Sequence, residues 1–230
     1  RVPRRPGRDA ERPPAPRPGP GEPPLVHFHR DLPGPGRAEV ERDLWVGLMT
    51  LAASGPAPLR RPLGDAALPA LERATGAAPD DVPSWEAMGL ALRFLGRDAD
   101  ALAAFDGALA RAPGREVSLS EAGLVAQHAG RLDDAVRYWR RAVAVNPRRA
   151  HFHRRLAEAL SDRGEKEGAL AECRRALELN PADTDARLIQ VACLLETGRR
   201  AEARAAFEAL MALGPPRKDE LRRWFQKLDR

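Results

Sequence analysis

The sequence predicts an all-α fold, an α-solenoid of antiparallel helix pairs with an extended Pro-rich N-terminal tail. Three observations predict it. Gly96, Gly130, Gly164 and Gly198 stand 34 residues apart, and Pro113, Pro147, Pro181 and Pro215 keep the same period. Between these marks apolar residues recur at helical spacing. A unit of this length is one helical hairpin, which cannot hide its apolar face alone and must stack on its neighbours.

Residues 1–37 open the chain as a Pro/Arg-rich linker or tail. Eleven of those 37 residues are Pro, which favours a polyproline-like, semi-rigid segment. A start at Arg1-Val2-Pro3, with neither Met nor an apolar leader, reads as a fragment or a processed product and leaves the compartment open. Residues 38–81 read as a degenerate leading helical pair. Its first helix is expected over 39–53, carrying Trp45, Leu48, Met49 and Ala52, and its second over 65–79. There Ala67, Leu71, Ala74 and Pro79 precede Ala101, Phe105, Ala108 and Pro113 by 34 residues. The stretch Ser54–Gly64 holds three prolines and two glycines and reads as a long connection. A stray hairpin capping the array is the alternative.

Four full units follow, at 82–115, 116–149, 150–183 and 184–217. In each, a first apolar stripe stops at the Gly, which enters the left-handed conformation cheaply and caps a helix C-terminus. A second stripe stops before the Pro, which cannot continue a helix, so Asn146-Pro147 and Asn180-Pro181 end second helices. Small residues at the eighth and twentieth positions let two backbones approach, while large ones near the fourth and twenty-fourth fill the gap. Ser84 reads as an N-cap, with Ala87 where a capping-box Glu would stand. His153 replaces the packing residue of the third unit, and Arg187 and Gln190 replace apolar residues in the fourth. Residues 218–230 read as a capping helix with Leu221, Trp224, Phe225 and Leu228 on one face; a partner-docking helix is the alternative.

The run Trp85, Met88, Gly89, Leu92, then Ala101, Phe105, Ala108 and Pro113 closely resembles the tetratricopeptide repeat, W-x2-L-G-x2-Y, A-x3-F, P. The next units repeat it with Leu119, Ala122, Gly123, Ala126, Ala135, Trp139, Ala142 and Pro147, then Leu156, Ala157, Leu160, Ala169, Cys173, Ala176 and Pro181, then Val191, Leu194, Ala203, Phe207, Leu210 and Pro215. The resemblance implies a right-handed superhelix whose concave groove is lined by the first helices. Carried over position by position, it implies a partner-binding groove of Glu86, Leu90, Arg93, Phe94, Ser120, Leu124, Gln127, His128, His151, Arg154, Glu158, Asp162, Asp185 and Leu188, with Glu196 at its end. The Lys and Asn clamp of chaperone-binding members is missing, since Glu86 and Leu90 occupy its positions. A second resemblance runs through the opening Arg-Val-Pro-Arg-Arg-Pro, Leu25-Val26-His27-Phe28-His29-Arg30-Asp31-Leu32 and Arg42-Asp43-Leu44. It is similar to the junction where a multihaem c-type cytochrome domain precedes tetratricopeptide repeats in bacterial fusion proteins. That would imply a cell-envelope location and an electron-transfer parent, with haem only in an upstream domain.

Charge and motif content narrow the function classes. The net charge is +5, but residues 1–37 carry +4 of it and the remainder only +1. A near-neutral array lacks the clustered basic footprint of a nucleic-acid binder. There is no apolar run of about 18 residues to insert in a membrane. No nucleophile–base constellation, P-loop or dinucleotide fingerprint appears, so the chain reads as no enzyme and as needing no cofactor. Cys173 and Cys193 read as small buried hydrophobes, with a disulfide open in an oxidising compartment. In an extended segment His27, His29 and Asp31 share a face and form the one metal or haem-ligand candidate; His151 and His153, two apart on a helix, do not. The expected partner is a protein or peptide bound in the groove. An appendage of an envelope cytochrome and a self-assembling homo-oligomeric scaffold are the alternatives.

Overall fold

In the computed structural model the described residues are 34–228, so the Pro-rich segment, His27 and His29 lie outside them. The chain divides into two compact units at Glu41. The described part of the first, residues 34–41, is the opening of helix α1 (Gly34–Ser54). The second unit, residues 42–230, carries the remainder of α1 and α2 (Ala57–Ala77), α3 (Val82–Phe94), α4 (Asp98–Arg111), α5 (Glu116–His128), α6 (Leu132–Val145), α7 (Ala150–Asp162), α8 (Lys166–Leu179), α9 (Thr184–Glu196), α10 (Arg200–Ala212) and α11 (Lys218–Leu228). There is no strand among the described residues. Consecutive helices from α2 through α10 pack on one another, and α3 touches α5 as α7 touches α9. This is a solenoid of helix pairs.

The turn inside each pair has one geometry. Gly96, Gly130, Gly164 and Gly198 have φ of 74°, 69°, 90° and 75°. At each, the glycine N–H bonds back three residues and the next N–H bonds back five, as in Gly96 to Arg93 at 3.0 Å and Arg97 to Leu92 at 2.9 Å. That double closure is a Schellman motif, which satisfies carbonyls the helix end would leave orphaned. The following residue starts the second helix, and Arg97, Arg131 and Arg199 clip Asp100, Asp134 and Glu202 three residues on, each with Nε at 2.7 Å.

Size is traded across the seam. Ala101, Ala135, Ala169 and Ala203 are fully buried, and so are Phe105, Trp139 and Cys173 four residues after the first three. In the first two repeats, where the large residue is Phe105 or Trp139, the facing eighth position is Gly, whereas the fourth sets Val191 at the eighth position and Phe207 at the twenty-fourth. A Cβ on Gly89 would stand 2.6 Å from Phe105, and one on Gly123 would stand 2.5 Å from Trp139. Where the large residue is Cys173, Ala157 fills the place and is also fully buried.

The loop between pairs has its own recurring bond. Each repeat-closing proline offers a carbonyl with no intrahelical donor. Trp85 Nε1 donates to Pro79 at 2.7 Å, His153 Nε2 sits 3.0 Å from Pro147, and Arg187 Nη2 donates to Pro181 at 3.2 Å, always six residues later. Leu119 has no donor at that position, and Arg141 from α6 reaches Pro113 at 3.4 Å instead. His153 and Arg187 are therefore polar substitutes for the tryptophan's donor.

Three local expectations need correction. The first helix begins at Gly34, not 39, and the connection after it is only Gly55-Pro56. Helix α2 runs from Ala57 straight through Pro62 and Pro69, covering most of the stretch expected as a long loop. Pro58 falls in the first turn, where no N–H partner is needed. Pro62 and Pro69 each remove one helix bond on exposed positions, while Gly64, Ala67, Leu68, Ala70 and Leu71 bury the opposite side. Arg60, from the same turn, donates to the carbonyls of Ala52 (3.2 Å), Ala53 (3.2 Å) and Gly55 (3.1 Å) and closes the end of α1. Ser84 is not the N-cap: it lies inside α3, fully buried, and donates to Asp81, the flanking residue. At the other end α11 docks by stacking Phe225 on Phe207, ring centres 4.2 Å apart and 11° from parallel.

Candidate groove along the first helices

The residues expected in the groove separate into three kinds. Glu86 and Leu90 are buried in the stack, 7% and 4% exposed, and do not face a ligand. Burial of Glu86 is compensated by charge-assisted bonds from the start of α5. Arg115 donates Nε to Oε1 at 2.9 Å and Nη2 to Oε2 at 3.0 Å, and the buried Ser118 hydroxyl donates at 2.7 Å. The bidentate Glu86 pair holds the Arg115 guanidinium above its ordinary pKa.

A second kind is accessible and for the most part already paired, within a helix or with a neighbouring one. Arg154 lies 3.3 Å from Asp183 and donates to Asp185 at 3.1 Å. Arg93 faces Glu121 at 3.2 Å and lies over the Phe94 ring at 5.1 Å. Glu121 is raised from the usual carboxylate range, because desolvation outweighs the attraction of Arg93 and Arg60. Gln127 accepts from Trp139 Nε1 at 2.9 Å and reaches Asp162 at 3.4 Å, while Glu158 accepts from Arg155 at 2.8 Å. His128 meets Asp98 at 2.9 Å from an exposed position. His151 is exposed beside Arg154, Arg155 and Arg149; its partial burial first, then these charges, lower its pKa.

The third kind lines open space. One cavity of about 330 Å3 has Phe94, Leu124 and Val125 as its apolar wall and Arg60, Arg61, Arg93 and His128 around it, with Asp98 as counter-charge. A second, of about 420 Å3, lies between α7, α9 and α11, with Leu188, Ile189, Ala192, Leu221 and Trp224 against Glu158 and Asp162. A third, of about 360 Å3, adjoins it along Leu188, Leu221 and Trp224 and adds Asp185. Ser120 is half-buried and lines none of these. Arg60, Arg61, Leu221 and Trp224 were outside the sequence-derived set. The helical spacing of Leu221 and Trp224 was legible and implied a lid, with a partner-docking helix as the alternative.

Both cysteines are free and buried. Burial pushes the Cys173 thiol up to about 12, and Cys193 lies 3.4 Å from the Ser161 hydroxyl. Among the described residues no group of three or more His, Cys, Asp and Glu side chains could hold a metal ion, and no helix is long and apolar enough to cross a membrane.

The architecture has solved counterparts. MamA (residues 41 to the end) from Desulfovibrio magneticus RS-1 is 21% identical, with a TM-score of 0.65, over 76% of this chain and 95% of that one. MamA MSR-1 is 21% identical at 0.66, over 77% and 97%. YrrB, a TPR protein with an unusual peptide-binding site, is 24% identical at 0.56, over 65% and 77%. No curated protein sequence matches the chain. Residues 64–116, 121–184 and 174–218 match the tetratricopeptide repeat model. Together with the recurring glycine turn and the small-for-large seam, these matches establish that the chain belongs to the tetratricopeptide repeat family.

Proposed function

We propose that this chain is a protein-interaction scaffold that holds a partner peptide along its first helices. An acidic stretch with one large apolar side chain is the best fit for the cavity at Phe94 and Leu124. The observation that carries the reading is that cavity's lining, in which an apolar wall stands beside Arg60, Arg61, Arg93 and His128, with Asp98 as the one carboxylate in the lining and Glu121 behind Arg93. An apolar anchor with flanking carboxylates would bury area on the wall and pair with guanidinium groups at the rim. The second cavity, apolar at Leu188 and Trp224 and acidic at Glu158 and Asp162, suits a more basic part of the same peptide. The peptide-binding character of YrrB, a solved relative in fold, supports the class of ligand.

Selection from a phage-displayed random peptide library tests this. Enriched sequences should combine acidic residues with an aromatic or aliphatic anchor, and Leu124→Glu with Phe94→Ala should cost at least tenfold in affinity for a synthetic version. Arg154→Ala, which also frees Asp183 and Asp185, should weaken binding less. A library that yields no enriched sequence, or enrichment indifferent to Leu124 and Phe94, would overturn the reading.

A further inference from the structure

The fourth repeat breaks the packing pattern on the side away from those cavities. Its fourth and seventh positions, Trp85 and Met88 in the first repeat, are Arg187 and Gln190. In place of a filled seam there is a cavity of about 400 Å3 between α8, α9 and α10, and it shares no residue with the cavities of the first-helix face. Arg174, Arg187, Arg199, Gln190 and Glu202 line it, over an apolar floor that includes Leu194.

The charges there do not cancel. Arg199 is engaged by Glu202 through two bonds of 2.7 and 2.6 Å, with Glu167 at 3.5 Å from its third nitrogen. Arg174 and Arg187 have no carboxylate within salt-bridge distance among the described residues. Arg187 uses one Nη on the Pro181 carbonyl at 3.2 Å, and its Nε is buried without a hydrogen-bond partner. A buried guanidinium N–H aimed at no acceptor is costly, and native structures rarely leave one so.

We propose that this cavity binds a phosphate group. Arg174, Arg187 and Arg199 against Glu202 and Glu167 leave one net positive charge, which favours an anion such as a phosphate monoester, itself about −1.5 to −2 near pH 7. The spare guanidinium donors of Arg174 and Arg187 together with the Gln190 amide outnumber what the two oxygens of a carboxylate would take, and fit the oxygens of a tetrahedral oxyanion. Arginine's rigid fork suits such an anion better than lysine's single point charge. Arg187 thus combines two tasks: one nitrogen closes the loop as Trp85 and His153 do, and its guanidinium charge lines the cavity.

Titration calorimetry of the full chain with inorganic phosphate and, separately, with O-phosphoserine tests the site and tells a free anion from an ester. Saturable heat is expected from at least one of them, together with a rise in thermal midpoint over chloride at matched ionic strength. Arg174→Gln, at an exposed position, should weaken binding at least tenfold with an unchanged circular dichroism spectrum. The pair Arg187→Trp and Gln190→Met, which restores the first repeat's residues, should abolish it; if that variant misfolds, Arg174→Gln decides alone. Phosphate and phosphoserine no better than chloride, or a folded variant that titrates like the parent, would overturn the proposal.

Discussion

Three hydrogen bonds from Arg115 and Ser118, at the start of α5, converge on the Glu86 carboxylate, and the Ser118 hydroxyl among them is fully buried. Glu86→Ala should therefore lower stability by about 2 kcal/mol, read from urea unfolding, as bonds to a charged group are lost and a buried hydroxyl is orphaned. Gly123 makes the opposite kind of demand. In an open helix Gly→Ala gains roughly 0.5–1 kcal/mol, but a Cβ here meets the Trp139 ring at 2.5 Å, so Gly123→Ala should lose about 1–3 kcal/mol by overpacking. Adding Trp139→Leu should recover part of that loss, because a smaller partner suits a larger eighth residue, as Cys173 suits Ala157. Alkaline pH should act through two buried acids. Burial and the Asp106 bond raise the Tyr138 phenol to about 12, and burial raises the Cys173 thiol to about 12. Both favour the neutral form in the fold, so their contribution is intact below the unfolded values, near 9 and 10, and declines as pH climbs from there towards 12. A denaturation series over pH 8–12 should show that decline, and Tyr138→Phe should flatten its upper part. At this scale the sequence was partly legible. Residue class at each repeat position followed from sterics, which are local. That Glu86 is spent on Arg115 and Ser118, about thirty residues away, was not readable from position alone.

Among the elements, α2 is the informative departure, with 21 residues against 13 or 14 in the helices of the four full repeats. Prolines at 56, 58 and 62 read as loop punctuation, yet the first turn of a helix tolerates proline and the later rings face water. Burial along Ala67, Leu68 and Leu71 then outweighs the missing bonds. The helix ends at Gly96, Gly130, Gly164 and Gly198 were legible because a positive φ is a requirement of the turn itself. Where α2 begins depends on tertiary packing and on Arg60 reaching back to α1, so no local signal marked it. Arg60→Ala should release three carbonyls at the end of α1 and speed amide exchange over residues 50–55 several-fold, while exchange in α5–α8 stays unchanged; hydrogen exchange with mass spectrometry would read both. The extra turns also place Arg60 and Arg61 beside Phe94, so part of the candidate groove was invisible to position-by-position transfer.

Over the whole solenoid, cohesion is between neighbours. Side-chain bonds that cross between repeats span close to one period: Tyr138 to Asp106, Arg163 to Asp133 and Arg154 to Asp185 are 32, 30 and 31 residues apart. Phe225 is the last link, and Phe225→Ala should cost about 3 kcal/mol at the C-terminal end, with α9 and α10 losing protection before α3–α6. Because no bond of this kind joins distant parts among the described residues, tension applied along the repeats meets the units one after another. Each unit that gives way pays out 34 residues of slack, about 120 Å of extended chain. Stretched in an optical trap, the molecule would lengthen in a staircase of such steps and rewind by the same steps when slackened, behaving as a compliant tether between whatever it joins.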